Sequence, residues 1–79
     1  MRSREFNGER CREVREKRKL TLQELADLIS DILGYPVTVS SVSKWELGHR
    51  SPNPKRFGAL CQALQVTEAF LLVDREVAA

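Results

Sequence analysis

Apolar residues recur at helical spacing along most of the chain, and its few Gly and Pro residues gather at two joints, 34–36 and 48–54. The strongest stripe is Leu22, Leu25, Ala26, Ile29, Ile32 and Leu33. At 3.6 residues per turn these positions share one face, so an amphipathic helix is predicted. Its start is marked by Thr21-Leu22-Gln23-Glu24, a Thr-x-x-Glu capping box in which each side chain satisfies an amide of the other residue. Gly34 is placed to end the helix, and Pro36 prevents its continuation.

The same reasoning yields four more helices. The first runs over about 8–19, with Asn7 as cap, Phe6 as a hydrophobic staple on Cys11, and a narrow apolar edge of Cys11 and Val14. The third follows Thr38 as N-cap and ends near Leu47, with Gly48 just past the end. Only Val42 and Trp45, with Glu46 beside them, face a core there. Val39, Ser40, Ser43, Lys44 and Leu47 are left on the outer side. The fourth has Asn53 as cap and Pro54 at the first helical position, with Phe57, Leu60, Cys61 and Leu64 on one face. The fifth begins at Thr67 and carries Phe70, Leu71 and Leu72. No strand-like alternation stands out, and the tail over 74–79 is expected to fray unless Val73 and Val77 dock.

Composition narrows the picture. At 79 residues the chain suits a single domain over 1–79, with a core of about 6–73. The longest apolar runs are too short to span a bilayer, and no apolar segment follows Arg2 and Arg4, so neither a membrane protein nor a secreted one is expected. Cytoplasmic residence follows. Cys11, Cys61 and the lone His49 are too few and too scattered for a zinc site; both thiols fall on core-facing helical positions and read as reduced core residues. No metal or cofactor is expected. With one His, no Gly-rich phosphate loop and no carboxylate pair, an enzyme is not expected either.

The net charge of +2 is unevenly spread. Residues 1–20 are net +4 and residues 36–58 net +3, whereas residues 21–35 are net −3 and residues 59–79 net −2. Two separated basic segments suit a polyanionic partner. The second and third helices, joined by a short turn, fit the arrangement in which one helix braces on the phosphate backbone while the next enters the major groove.

The ordered set Gly8-Glu9-Arg10, Val14-Arg15, Leu20-Thr21, Leu25-Ala26, Val42-Ser43-Lys44-Trp45-Glu46, Gly48 and Pro52 carries a family resemblance. Residues 8–72 resemble the Cro/C1-type (XRE-like) helix-turn-helix family of phage and bacterial regulators. The resemblance implies an all-α, five-helix, lambda-repressor-like domain that binds double-stranded DNA as a transcriptional regulator. Residues 42–46 lie farther from Leu25-Ala26 than is usual in the family, which implies an extended second helix and a wider turn over 34–37. Leu22 replaces a glutamine that contacts phosphate in many members, and Gln23 is its only neighbouring substitute.

Carried onto this chain, the resemblance assigns base reading to Val39, Ser40 and Lys44, with Ser41 and Ser43 near the groove wall. Val39 suits a thymine methyl and Lys44 a guanine edge. Phosphate contacts are expected from Thr21, Gln23 and the amides opening the second helix. They are also expected from His49, Arg50, Ser51, Asn53, Lys55 and Arg56, while Tyr35 either packs beneath the turn or reaches a phosphate with its hydroxyl. Trp45 reads as an apolar anchor, because duplex DNA offers no unstacked base. The resemblance further implies a partly buried ion pair between Arg15 and Glu46. A second copy of the chain on DNA is compatible with all of this. The alternative reading is a protein-interaction module or antitoxin that keeps the fold.

Overall fold

The computed structural model describes residues 2–76, with side chains from 4 to 73. Five helices follow one another: α1 (Gly8–Lys17), α2 (Leu22–Leu33), α3 (Val39–Glu46), α4 (Pro54–Leu64) and α5 (Glu68–Leu71). Local chemistry starts each of them. Asn7, Thr21, Thr38, Asn53 and Thr67 all sit in extended backbone with a side-chain oxygen accepting from an amide in the first turn. Around α2 the capping box is complete, since Thr21 accepts from the Glu24 amide at 3.0 Å and donates its own amide to the Glu24 carboxylate at 2.9 Å.

Chain reversals are local as well. Gly34 ends α2 at φ +81° and Gly48 follows α3 at φ +80°, a region that favours glycine. Lys19 (φ +58°) and Gln65 (φ +58°) adopt the same region without being glycine. Lys19 thus leaves α1 shorter than expected, ending at Lys17. The α2–α3 turn is pinned by Ser30, whose hydroxyl donates to the Ala26 carbonyl at 2.7 Å and accepts from the Val37 amide at 2.8 Å.

One expectation is corrected. The ends of the chain form an antiparallel ribbon, β1 (Arg2–Phe6) with β2 (Leu72–Glu76), in the register Arg2↔Glu76, Arg4↔Asp74 and Phe6↔Leu72. Residues 74–76 are therefore paired, and Val77 lies outside the described residues. The fold is the expected five-helix domain with a two-stranded ribbon added. Phe6 ends β1 and meets the Phe57 ring of α4 edge-on at 5.9 Å, a longer-range partner than the staple on Cys11.

The core is shared by all five helices. Leu25, Ile29, Val42, Leu60, Leu64, Leu71 and Cys11 are fully buried, and no buried side-chain polar atom among the described residues lacks a partner. The α2 stripe is narrower than its sequence suggested: Leu22 and Leu33 lie against the core only in part, and Ile32 is 40% exposed. No helix among the described residues is long and apolar enough to cross a membrane.

Both cysteines are buried and free. Burial, reinforced by the Glu46 carboxylate and opposed by Arg15, pushes the Cys11 thiol up to about 12. The native state therefore keeps this proton where the unfolded chain, with an ordinary thiol, gives it up. Its contribution to stability is complete below pH 9 and is lost as the pH climbs towards 12. Chemical denaturation between pH 8 and 10.5 is expected to show a shallower alkaline decline for Cys11→Ala than for the parent. Parallel declines would refute the assignment.

Candidate nucleic-acid interface

Helix α3 is short, and two residues hold it down. Val42 is fully buried and Trp45 is 3% exposed, so the opposite side of the helix faces outward. That side presents Ser40, Lys44 and Leu47, all exposed, with Leu47 the most exposed large apolar residue among the described residues at 61%. Val39 departs from expectation. Standing at the first helical position, it turns partly inward and packs against the core. Only its remaining surface is open to a ligand.

Shallow grooves flank α3. The first, about 250 Å³, runs between α3 and the start of α4, and its lining includes Ser41, Lys44, Arg50, Ser51, Asn53 and Arg56. It brings three cations together with no carboxylate among its walls. The second, about 160 Å³, lies on the α1 side and is lined by Arg12, Arg15, Leu22, Ser43, Glu46 and Leu47. Ser41 and Ser43 thus stand on opposite flanks of the helix. The Ser41 hydroxyl also accepts from the capping hydroxyl of Thr38 at 3.1 Å.

The expected phosphate ligands divide into two sets. His49, Arg50, Ser51, Asn53 and Lys55 are exposed together on the α3–α4 connection and the start of α4. Asn53 caps α4 by accepting from the Arg56 amide at 2.8 Å, and the Arg56 guanidinium lies 5.7 Å from the centre of the Tyr35 ring. Tyr35 thereby joins this set from the far side, half exposed rather than tucked beneath the turn. The α2 set is engaged within the protein. Thr21 serves the capping box, its single amide donates to the Glu24 carboxylate, and Gln23 donates to Asp27 at 2.9 Å. These local partners, the carboxylates of Glu24 and Asp27, make the start of α2 a weaker anion site than the sequence suggested.

Arg15 fixes α3 to the rest of the fold. Its guanidinium grips Glu46 with both arms, Nε to Oε2 at 2.7 Å and Nη2 to Oε1 at 3.1 Å, and Nη1 donates to the Leu20 carbonyl at 2.9 Å. The side chains are 12% and 5% exposed. Hydrogen bonding to Glu46 raises the Arg15 pKa further still, so the guanidinium stays charged at any accessible pH.

Sequence reasoning did not single out Ser30, Arg12 or the close approach of α3 to Gly8. A serine in the last turn of a predicted helix, four residues before Gly34, was a faint cue to the first. The ribbon also reaches this region, where Arg4, Phe6 and Leu72 line a groove of about 530 Å³ together with Arg50, Ser51, Pro52 and Phe57.

The helix-turn-helix family matches over residues 12–71. The chain belongs to the helix-turn-helix family. It is a Cro/C1-type member, as the motifs implied. Two solved structures of the P22 c2 repressor have this helix-turn-helix fold, each with a TM-score of 0.73 and 30% identity over 85% of the present chain. One is the repressor in complex with synthetic operator 9T in the presence of Tl+, of which 92% is covered. The other is the DNA-binding domain in solution, of which 80% is covered. No curated protein matches the sequence.

Proposed function

We propose that this helix-turn-helix chain is a sequence-specific regulator of transcription that lays α3 in the major groove of double-stranded DNA. The observation that carries this reading is the outward face of α3, small and polar at Ser40 and cationic at Lys44, beside a groove lined by Lys44, Arg50 and Arg56. Small side chains let a helix approach base edges, and clustered cations neutralise the backbone beside it. The likeness to a repressor solved in complex with a synthetic operator supports duplex DNA as the partner. We place this role in bacterial or phage-infected cytoplasm, the setting of the regulators that the motifs resemble.

In this reading Ser40 and Lys44 meet base edges, and the exposed part of Val39 meets a thymine methyl. Ser41 and Ser43 approach the groove walls. His49, Arg50, Ser51, Asn53, Lys55 and Arg56 hold phosphates, with Tyr35 supporting Arg56. Thr21 contributes at the edge, while Gln23 contributes least because Asp27 occupies its amide.

Selection of bound duplexes from a random pool tests the proposal. A preferred site is expected, with affinity falling steeply as salt rises because bound phosphates release counterions. Half-sites about one helical turn apart would identify a two-fold dimer. Lys44→Ala is expected to cost about 1–3 kcal/mol and relax preference at one position, whereas Arg50→Ala weakens all sequences alike and lowers the salt slope by about 1. Absence of any salt-dependent affinity for DNA would reassign the fold to protein interaction.

A further inference from the structure

The backbone at the end of α3 is pressed against the first residue of α1. A Cβ placed on Gly8 would overlap the Trp45 carbonyl oxygen and stand 2.8 Å from that of Glu46. Gly34 and Gly48 serve left-handed backbone and have open space around them, as does Gly58. Gly8 alone among the four glycines is a matter of approach between two elements. The obstacles are main-chain atoms, so no side chain can swing aside; one helix must move, by something on the order of 1 Å.

Between the two, α3 is the freer. The start of α1 is tied to α5, where the Asn7 amide donates to the Leu71 carbonyl at 2.7 Å and Arg10 donates to the Phe70 carbonyl at 3.2 Å. Cys11 and Val14 then seat α1 in the core. By contrast α3 buries only Val42 and Trp45. Helix α1 touches the last turn of α3 at two places two turns apart along its own length: the Gly8 backbone meets the Trp45 and Glu46 carbonyls, and the Arg15 guanidinium grips the Glu46 carboxylate.

We infer that Gly8, with Arg15, is a positioning residue for DNA reading: α1 sets how far and at what tilt α3 stands out from the protein. The inference rests on α3 being the base-reading helix. Readout of base edges depends on placement to a fraction of an ångström. Attraction between the cations of the α3–α4 connection and phosphates is long-ranged and tolerates such a shift. Discrimination between sequences is therefore under the control of a residue that reaches no DNA.

The test compares affinity for the selected site with affinity for random duplex, at a temperature where circular dichroism shows each variant folded. Gly8→Ala is expected to lose about tenfold in affinity for the selected site, the scale of one mismatched pair, with random-duplex affinity and salt slope unchanged. Arg15→Lys keeps the charge but loses the two-armed grip, and the same ratio should fall in the same direction. Leu64→Val, which loosens the core in α4, should leave it intact. If Gly8→Ala does not fold, Arg15→Lys decides. A preserved ratio in folded Gly8→Ala, or an equal fall in Leu64→Val, would overturn the inference. A parent chain without any sequence preference would overturn both this inference and the base-reading role of α3. A preference that survives Gly8→Ala and Arg15→Lys overturns only the positioning role.

Discussion

Arg15→Ala is expected to remove about 3–5 kcal/mol of folding stability, most of what a domain of this size possesses. The expectation comes from what remains behind. Glu46 is 5% exposed at its side chain, and both its oxygens are taken by the guanidinium. Without Arg15 it would be a buried charge with no partner, and the Leu20 carbonyl at the α1–α2 turn would also lose its donor. Glu46→Ala should cost less, because Arg15 is more exposed and retains Leu20. The double variant should cost less than the two single losses combined, since it leaves no orphaned charge. Urea unfolding of the four proteins measures all three differences. A loss below about 1 kcal/mol for Arg15→Ala would mean that the pair behaves like a solvated surface contact.

Trp45→Ala carries an expected loss of similar size, about 3–5 kcal/mol, through a different mechanism. Trp45 is 3% exposed and is one of only two buried residues of α3. Removing the indole deletes much of the apolar surface that keeps α3 in place, and the backbone cannot close the gap while Gly8 and Arg15 hold the same turn. Trp45→Phe should recover much of the loss. Because Trp45 is the single tryptophan, circular dichroism must follow the variants, while fluorescence reports on the parent. Its emission should be shielded from acrylamide equally with and without bound DNA. Quenching that changes sharply on binding would instead support stacking of Trp45 on a base.

Features governed by neighbours in sequence were legible before the fold was known. Asn7, Thr21 with Glu24, Thr38, Asn53 with Pro54, and Gly34 announce helix boundaries because a cap needs only the next few residues. The outward placement of Ser40 and Lys44 followed from the 3.6-residue period and the apolar pair Val42 and Trp45. Features set by distant partners stayed hidden. Arg2–Phe6 has little apolar alternation, and its partner strand lies at the other end of the chain. Val39 turned inward because the first position of a helix is placed by the preceding turn, which Ser30 and Val37 fix. Thr21 and Gln23 carry suitable atoms for phosphate, yet Glu24 and Asp27 reach those atoms first. Gly8 looked like part of a motif, with no sign of the carbonyls pressed against it.

The terminal ribbon also bears on the order in which the molecule is assembled. Closing β1 on β2 joins the first and last described segments, so it forms the longest loop among the described residues and carries the highest closure entropy of them. Helices capped by their own neighbours can form and collapse around Leu25, Ile29, Leu60 and Leu64 before that loop is shut. Strand pairing is then expected to follow the rate-limiting step and to slow unfolding more than it speeds folding, which stopped-flow kinetics of a ribbon variant would check. In kinetic terms the ribbon is a clasp: it does not direct the search for the native state, but it lengthens the time α1 and α5 stay together once they have met.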